Sequence, residues 1–130
     1  MTLLAHTLTI DCVDWPGQVA FWSALLEYAD DPLNPNEPGD PMGYVVGPAG
    51  GPGLQFIPVP ERKTVKNRLH LDLQPVGGSR DEEVARAVGL GATVVDDRRT
   101  PDGAGWVVLA DPEGNEFCIE RSAAERTTTP

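Results

Sequence analysis

A chain of 130 residues, 40% of them apolar, is long enough to bury the core of one domain. Twenty Asp and Glu against ten Lys and Arg leave a formal net charge of −10, which disfavours nucleic acid and anionic membrane as partners, since binding either relies on neutralising negative charge. Residues 1–6 lack a basic segment ahead of an apolar core and there is no apolar run of about 18 residues, so neither a signal peptide nor a membrane span is expected. Cys12 and Cys118 lack metal-binding or redox spacing, so a reduced, cytoplasmic protein is expected.

Residues 4–11 alternate: Leu4, His6, Leu8 and Ile10 on one face, Ala5, Thr7, Thr9 and Asp11 on the other, as in a half-buried strand. Asp14 suits a helix N-cap, with Pro16 just inside the helix where a missing N–H costs little. Trp15, Val19, Trp22 and Leu26 then form an apolar stripe, and Trp22 is placed with its rim at a pocket edge. Residues 30–41, rich in Pro and Asp, read as a loop that is either a lid or a tether. Short strands are expected over 43–47 and 53–59. Arg62, Lys63, Lys66 and Arg68 follow as a basic linker, read first as a solvated segment pairing with acidic surface.

A strand over 69–75 buries Leu71 and Leu73. Ser79-Arg-Asp-Glu82 is a capping box, opening a helix expected to bury Val84 and Val88 and to stop at Gly89-Leu-Gly91. Strands over 93–96 and 106–110 lead to Asp111-Pro-Glu-Gly-Asn115, a turn sequence between β-rich segments and hence a hairpin. On its outgoing arm Phe117 and Ile119 share the core face, and Glu116, Cys118 and Glu120 share a wetter one. Residues 122–130 read as a frayed tail.

The order of elements repeats. A shift of 63 residues superposes Leu8 on Leu71, Ile10 on Leu73, Leu54 on Phe117 and Phe56 on Ile119. The opposite faces match by the same shift, Thr7 with His70 and Gln55 with Cys118.

Phe21-Trp22, Asn67-Arg-Leu-His-Leu-Asp-Leu73, Leu90-Gly-Ala92 and Trp106 with Leu109-Ala-Asp-Pro-Glu-Gly-Asn-Glu-Phe-Cys-Ile119 together resemble the glyoxalase/bleomycin-resistance/dioxygenase (vicinal oxygen chelate) superfamily, in its glyoxalase-like subgroup. The resemblance covers about residues 4–121. It implies an α+β fold in which two βαβββ modules form a cupped mixed β-sheet with helices on the outer face. A single domain over 1–130 is then expected, with module one at about 3–60, a linker at 61–67, module two at about 68–121 and a tail at 122–130. Homodimers are common in such a family.

Metal-dependent members place His, Glu, His and Glu at four inward positions, which by strand phase are Thr7, Gln55, His70 and Cys118 here. His6 is one residue out of phase and would need a β-bulge near Ala5 to turn inward. Neutral Gln and soft Cys do not make the carboxylate set that Mg, Mn or Fe(II) requires, so no metal and no cofactor are expected. Two functions compete. One is binding of a small, partly apolar molecule by Thr7, Trp22, Gln55, His70, Asp72, Trp106 and Cys118, with Phe21 as further stacking surface. The other is a metal-independent lyase or isomerase with His70 as general base beside Asp72. For Cys118 an unreactive, buried thiol is the first expectation.

Overall fold

A computed structural model describes residues 1–128, which group into two compact units divided between Arg62 and Lys63. The first contains β1 (Thr7–Cys12), α1 (Trp15–Leu26), β2 (Gly43–Val45) and β3 (Gly53–Pro58). The second contains β4 (Leu71–Leu73), α2 (Arg80–Leu90), β5 (Thr93–Asp97), β6 (Val107–Ala110), β7 (Glu116–Ile119) and α3 (Ala123–Thr128). The fold is α+β, with one mixed sheet in each unit.

The 63-residue repeat reappears as strand register. In the first sheet, ordered β1-β3-β2, β1 lies parallel to β3 with Leu8 opposite Leu54 and Ile10 opposite Phe56. In the second, ordered β4-β7-β6-β5, β4 lies parallel to β7 with Leu71 opposite Phe117 and Leu73 opposite Ile119. These are the same pairs moved by the same shift. The first sheet has three strands where the second has four, and a single antiparallel bridge between Ala29 and Val46 stands where β5 would pair. The Pro-rich, aperiodic chain after α1 offers too few consecutive donors to extend that bridge into a ladder.

Strand β1 is shorter than its alternation suggests. Its ladder starts at the His6 carbonyl, which accepts from Gly53 N at 3.0 Å, and Leu3 and Leu4 before it are almost fully exposed. Alternation supplies a face but not a neighbouring strand to bond. The register is unbroken from Thr7 to Cys12.

In α1, Asp14 caps by accepting from Gly17 N. The buried residues are Gln18, Phe21, Trp22 and Leu25, a stripe rotated from the expected one and sharing only Trp22 with it. The helix is apolar nearly all round, so its sequence carries little phase information. The loop after it is tied rather than free. Asp30 accepts from the backbone and side-chain nitrogens of Asn36, and the Asn36 amide bonds both N–H and C=O of Tyr44 at 2.8 Å, as a neighbouring strand would.

The capping box on α2 is fully formed between Ser79 and Glu82. Its buried side carries Arg80, Val84 and Ala87; Val88, expected inside, is 45% exposed. The hairpin between β6 and β7 closes because the buried Asp111 carboxylate accepts from the backbone of Glu113 and Asn115, while Gly114 adopts φ +90°. The expected tail is in part a helix. Ser122 accepts from Glu125 N, and the Glu125 carboxylate in turn receives the N–H groups of Ser122 and Arg80, docking α3 on α2. The last two residues of that tail lie outside the described ones. None of the described helices is long and apolar enough to cross a membrane.

Candidate functional site

The chemistry-bearing side chains of the second unit meet on one face of its sheet. Parallel pairing sets Asp72 of β4 opposite Cys118 of β7, and His70, two residues before Asp72, falls on the same face. Antiparallel pairing places Val108 of β6 on the far side of Cys118. His70 Nδ1 lies 3.4 Å from Asp72 Oδ1. The donor atoms of His70, Asp72 and Cys118 all lie within 4.8 Å of one another.

A cleft of about 410 Å³ opens above these three residues, walled by Gly105, Trp106 and Glu120 and flanked by Arg121 and Arg126. A smaller one of about 220 Å³ shares His70, Trp106 and Cys118 and adds Lys66, Asp96 and Arg98. Trp106, 47% exposed, therefore presents its ring to both.

The wall that carries Trp106 is held by a buried charge. Arg80, 4% exposed, donates through Nη1 to the carbonyls of Gly103, Ala104 and Gly105 and through Nε to Asp81. Gly105 sits at φ +90°, and a Cβ there would lie 2.0 Å from the Arg98 carbonyl oxygen, so only glycine fits. Arg98 N donates to the Trp106 carbonyl at 2.9 Å, closing the loop beneath the indole.

Three cations of the linker and clefts, Lys66, Arg98 and Arg126, are paired with carboxylates. Lys66 meets Glu116 at 3.0 Å, and its hydrogen bond holds the Glu116 carboxyl below the usual range. Arg98 pairs with Asp96 and Arg126 with Glu120. Burial, followed by the charge of Asp72, pushes the Cys118 thiol up to about 11. At neutral pH it is a thiol, which agrees with an unreactive cysteine and gives no nucleophile.

The remaining expected site residues are in the first unit. Thr7 Oγ1 is 3.0 Å from His6 Nδ1. The Gln55 amide is already engaged, accepting from Thr9 Oγ1 at 3.2 Å and donating to Met42 Sδ at 2.8 Å. Trp22 is 1% exposed and Phe21 is 4% exposed, packed edge to face at 5.5 Å. Both belong to the core and show a ligand no stacking surface, which corrects the placement of Trp22 at a pocket rim. Sequence reasoning missed Gly105, Arg121 and Arg126. Arg126 sits on the unforeseen α3, and the role of Gly105 depends on a carbonyl seven residues away.

The glyoxalase-like domain family matches residues 7–120, and the chain belongs to that family. No curated protein matches it in sequence. Among solved structures it is similar to a glyoxalase/bleomycin resistance protein/dioxygenase family enzyme from Burkholderia phytofirmans PsJN, at 19% identity over 90% of this chain and 97% of that one, with a TM-score of 0.65. It is also similar to the hypothetical protein SA1046 from S. aureus, at 16% identity over 95% and 96% of the two chains and TM-score 0.68. A third is the fosfomycin resistance protein FosX from Listeria monocytogenes complexed with Mn(II) and sulfate, at 16% identity over 98% and 97% and TM-score 0.66. At such identities the shared property is the fold.

The superfamily's metal positions do not suit a hard ion here. Thr7 and Gln55 offer neutral oxygens, Gln55 is committed to Thr9 and Met42, and Cys118 is a soft donor. No carboxylate stands at any of the four.

Proposed function

We propose that this chain is a small-molecule binding protein of the glyoxalase/bleomycin-resistance type, without the family's carboxylate-rich metal set. The carrying observation is the cleft above β4 and β7, where a half-exposed indole, Trp106, stands beside His70, Asp72 and the two arginines. Its 410 Å³ lies at the lower end of the range for small-molecule sites, so the ligand is compact. Trp106 stacks a flat apolar part, while His70 and Asp72 orient polar groups and Arg121 or Arg126 meets a negative one. The net charge of −10 does not extend into this cleft, whose arginines and carboxylates are matched. Thr7 and Gln55 hold the corresponding positions in the first unit and are proposed as ligand contacts there. The protein is expected in the cytoplasm as a twofold homodimer; light scattering giving only the 13.9 kDa monomer would contradict the dimer.

Titration with benzoate and with benzamidine tests the cleft and its charge preference together. Saturable quenching of tryptophan fluorescence by at least one of them, lost in Trp106→Phe, is the expected result. Quenching that survives Trp106→Phe, or none with either probe, means the binding surface is elsewhere.

A second reading rests on the His70–Asp72 contact of 3.4 Å. A carboxylate at Nδ1 fixes the tautomer and leaves Nε2 as a general base, the arrangement a metal-independent lyase or isomerase needs. Asp72→Asn would then lower turnover and move the acid limb of the rate profile while leaving ligand affinity unchanged. Loss of affinity alone favours binding.

A further inference from the structure

We propose that His70, Asp72 and Cys118 form a three-donor site for a thiophilic divalent cation of the Zn(II) class, built entirely within the second unit. The set keeps His70 and Cys118 of the four positions given by strand phase and replaces the other two, Thr7 and Gln55, with a single carboxylate, Asp72. It draws two donors from adjacent parallel strands and a third from two residues upstream on the same face, and it uses Asp72, which is not one of those positions. The site shares the cleft with the binding function but does not depend on it.

Geometry favours the set. The three donor atoms already lie within 4.8 Å of one another. A tetrahedral Zn(II) with bonds of about 2.3 Å to sulfur and about 2.0 Å to nitrogen and oxygen needs donor separations of roughly 3.5 Å. The closure required is about an ångström, and the two side chains that must supply it are free to move, His70 being 42% and Asp72 59% exposed. Cys118 is 8% exposed on a central strand and acts as the fixed point.

Donor chemistry selects the ion. One sulfur, one imidazole nitrogen and one carboxylate oxygen form a mixed soft set, favouring Zn(II), Co(II) or Cd(II) over Mg(II), Ca(II) or Mn(II). Binding displaces the Cys118 thiol proton to solvent, and the resulting thiolate and the Asp72 carboxylate together neutralise a divalent charge. Of the four cations lining the two clefts, Lys66, Arg98 and Arg126 are each paired with a carboxylate, which reduces their opposition to a bound cation. Three protein donors leave one coordination position open toward the cleft, beside Trp106.

The test uses full-length protein, untagged and stripped with a chelator. Titrating Co(II) reads the thiolate-to-cobalt charge-transfer band and the intensity of the visible bands, which reports tetrahedral geometry. Competition with a chromophoric chelator gives the Zn(II) affinity. One equivalent should bind, with a charge-transfer band in the wild type that is absent in Cys118→Ser. Asp72→Asn, at an exposed position that leaves folding intact, should weaken Zn(II) binding by about tenfold or more, because losing a donor costs at least as much as losing its support. Glu61→Gln, an exposed carboxylate that lines neither cleft, should bind as the wild type does. No saturable cobalt band in the folded wild type, a band that persists in Cys118→Ser, or unchanged affinity in Asp72→Asn overturns the proposal. The benzoate and benzamidine titrations on chelated protein report on the cleft separately, so the two proposals fail independently.

Discussion

The two units share a topology and a strand register yet are stabilised by different chemistry. Residues 1–61 contain no Lys or Arg against eight carboxylates, while residues 63–130 hold nine of the ten cations. Six of the eight aromatic residues are in the first unit, with Phe21, Trp22 and Phe56 buried there. The second buries small and aliphatic side chains around Phe117, and the ion pairs seen among the described residues lie in it. One half packs aromatic rings, and its carboxylates at Asp14, Asp30, Asp31 and Asp40 accept hydrogen bonds from nearby backbone or amide groups. The other ties its loops with guanidinium groups and so can hold a polar cleft open. Similar backbones therefore need not carry similar functions: register is set by alternating apolar pairs, whereas a site needs polar groups with partners.

The largest expected effect is on the aromatic half. Trp22→Ala should cost about 3–5 kcal/mol by leaving a cavity that Phe21 and Leu25 cannot refill. Hydrogen exchange should show β1 and β3 losing protection ahead of β6 and β7. Equal loss in both would mean that the halves open as one cooperative body, and the contrast would be one of composition only.

Next come the two glycine changes, one in each half. Gly105→Ala places a Cβ against the Arg98 carbonyl in a left-handed backbone and should cost about 3 kcal/mol or more, with loss of the cleft. Gly50→Ala has the same sign of φ, +81°, but nothing within 4 Å, and should cost about 1 kcal/mol. Urea midpoints of the two variants decide this; similar values would mean the wall of the cleft is not held as tightly as its bonds indicate.

Arg80→Met keeps most of the buried stem and removes the donors to Gly103, Ala104 and Gly105. A loss of about 2 kcal/mol is expected, since the Gly103 and Gly105 carbonyls lose the Arg80 donor and the Ala104 carbonyl keeps only the Thr100 N–H. The change should also free Trp106, read as a more mobile, red-shifted indole. A Trp106 signal indifferent to Arg80 would separate the buried charge from the site.

Acid should act on the second unit in a particular window. Hydrogen bonding to Arg99 holds Asp97 down to about 2, bonding to Arg80 lowers Asp81, and backbone bonds at Ser122 lower Glu125. Each is depressed in the folded state. Their stabilisation is thus fully present above the unfolded carboxyl range, near pH 4, and is lost as pH falls toward about 2. The effect per exposed pair is small and screened by salt. Arg99→Gln should flatten the decline in β5 and α2 protection over that window, and an unaltered slope would show that these pairs contribute nothing measurable.

Much of this was legible in the residues themselves. The turn at Asp111–Asn115, the capping box at Ser79 and the 63-residue repeat are local or periodic, and each follows from what a side chain can do to its own backbone or from which face it occupies. The glyoxalase-like fold came from the resemblance of segments such as 67–73 and 109–119 to that family, and the repeat set His70 and Cys118 at matching positions. Tertiary structure alone decided what needs a second segment. Trp22 went fully into the core because α1 is apolar all round and only packing chooses its face. Val88 gave way to Ala87, Leu3 and Leu4 found no strand to pair with, and residues after Ser122 became a helix once Glu125 met Arg80. Asp72 became part of a donor cluster through its register with Cys118, a parallel pairing 46 residues apart that no local signal encodes. Side-chain phase is a property of the chain; which phases face one another is a property of the packed sheet.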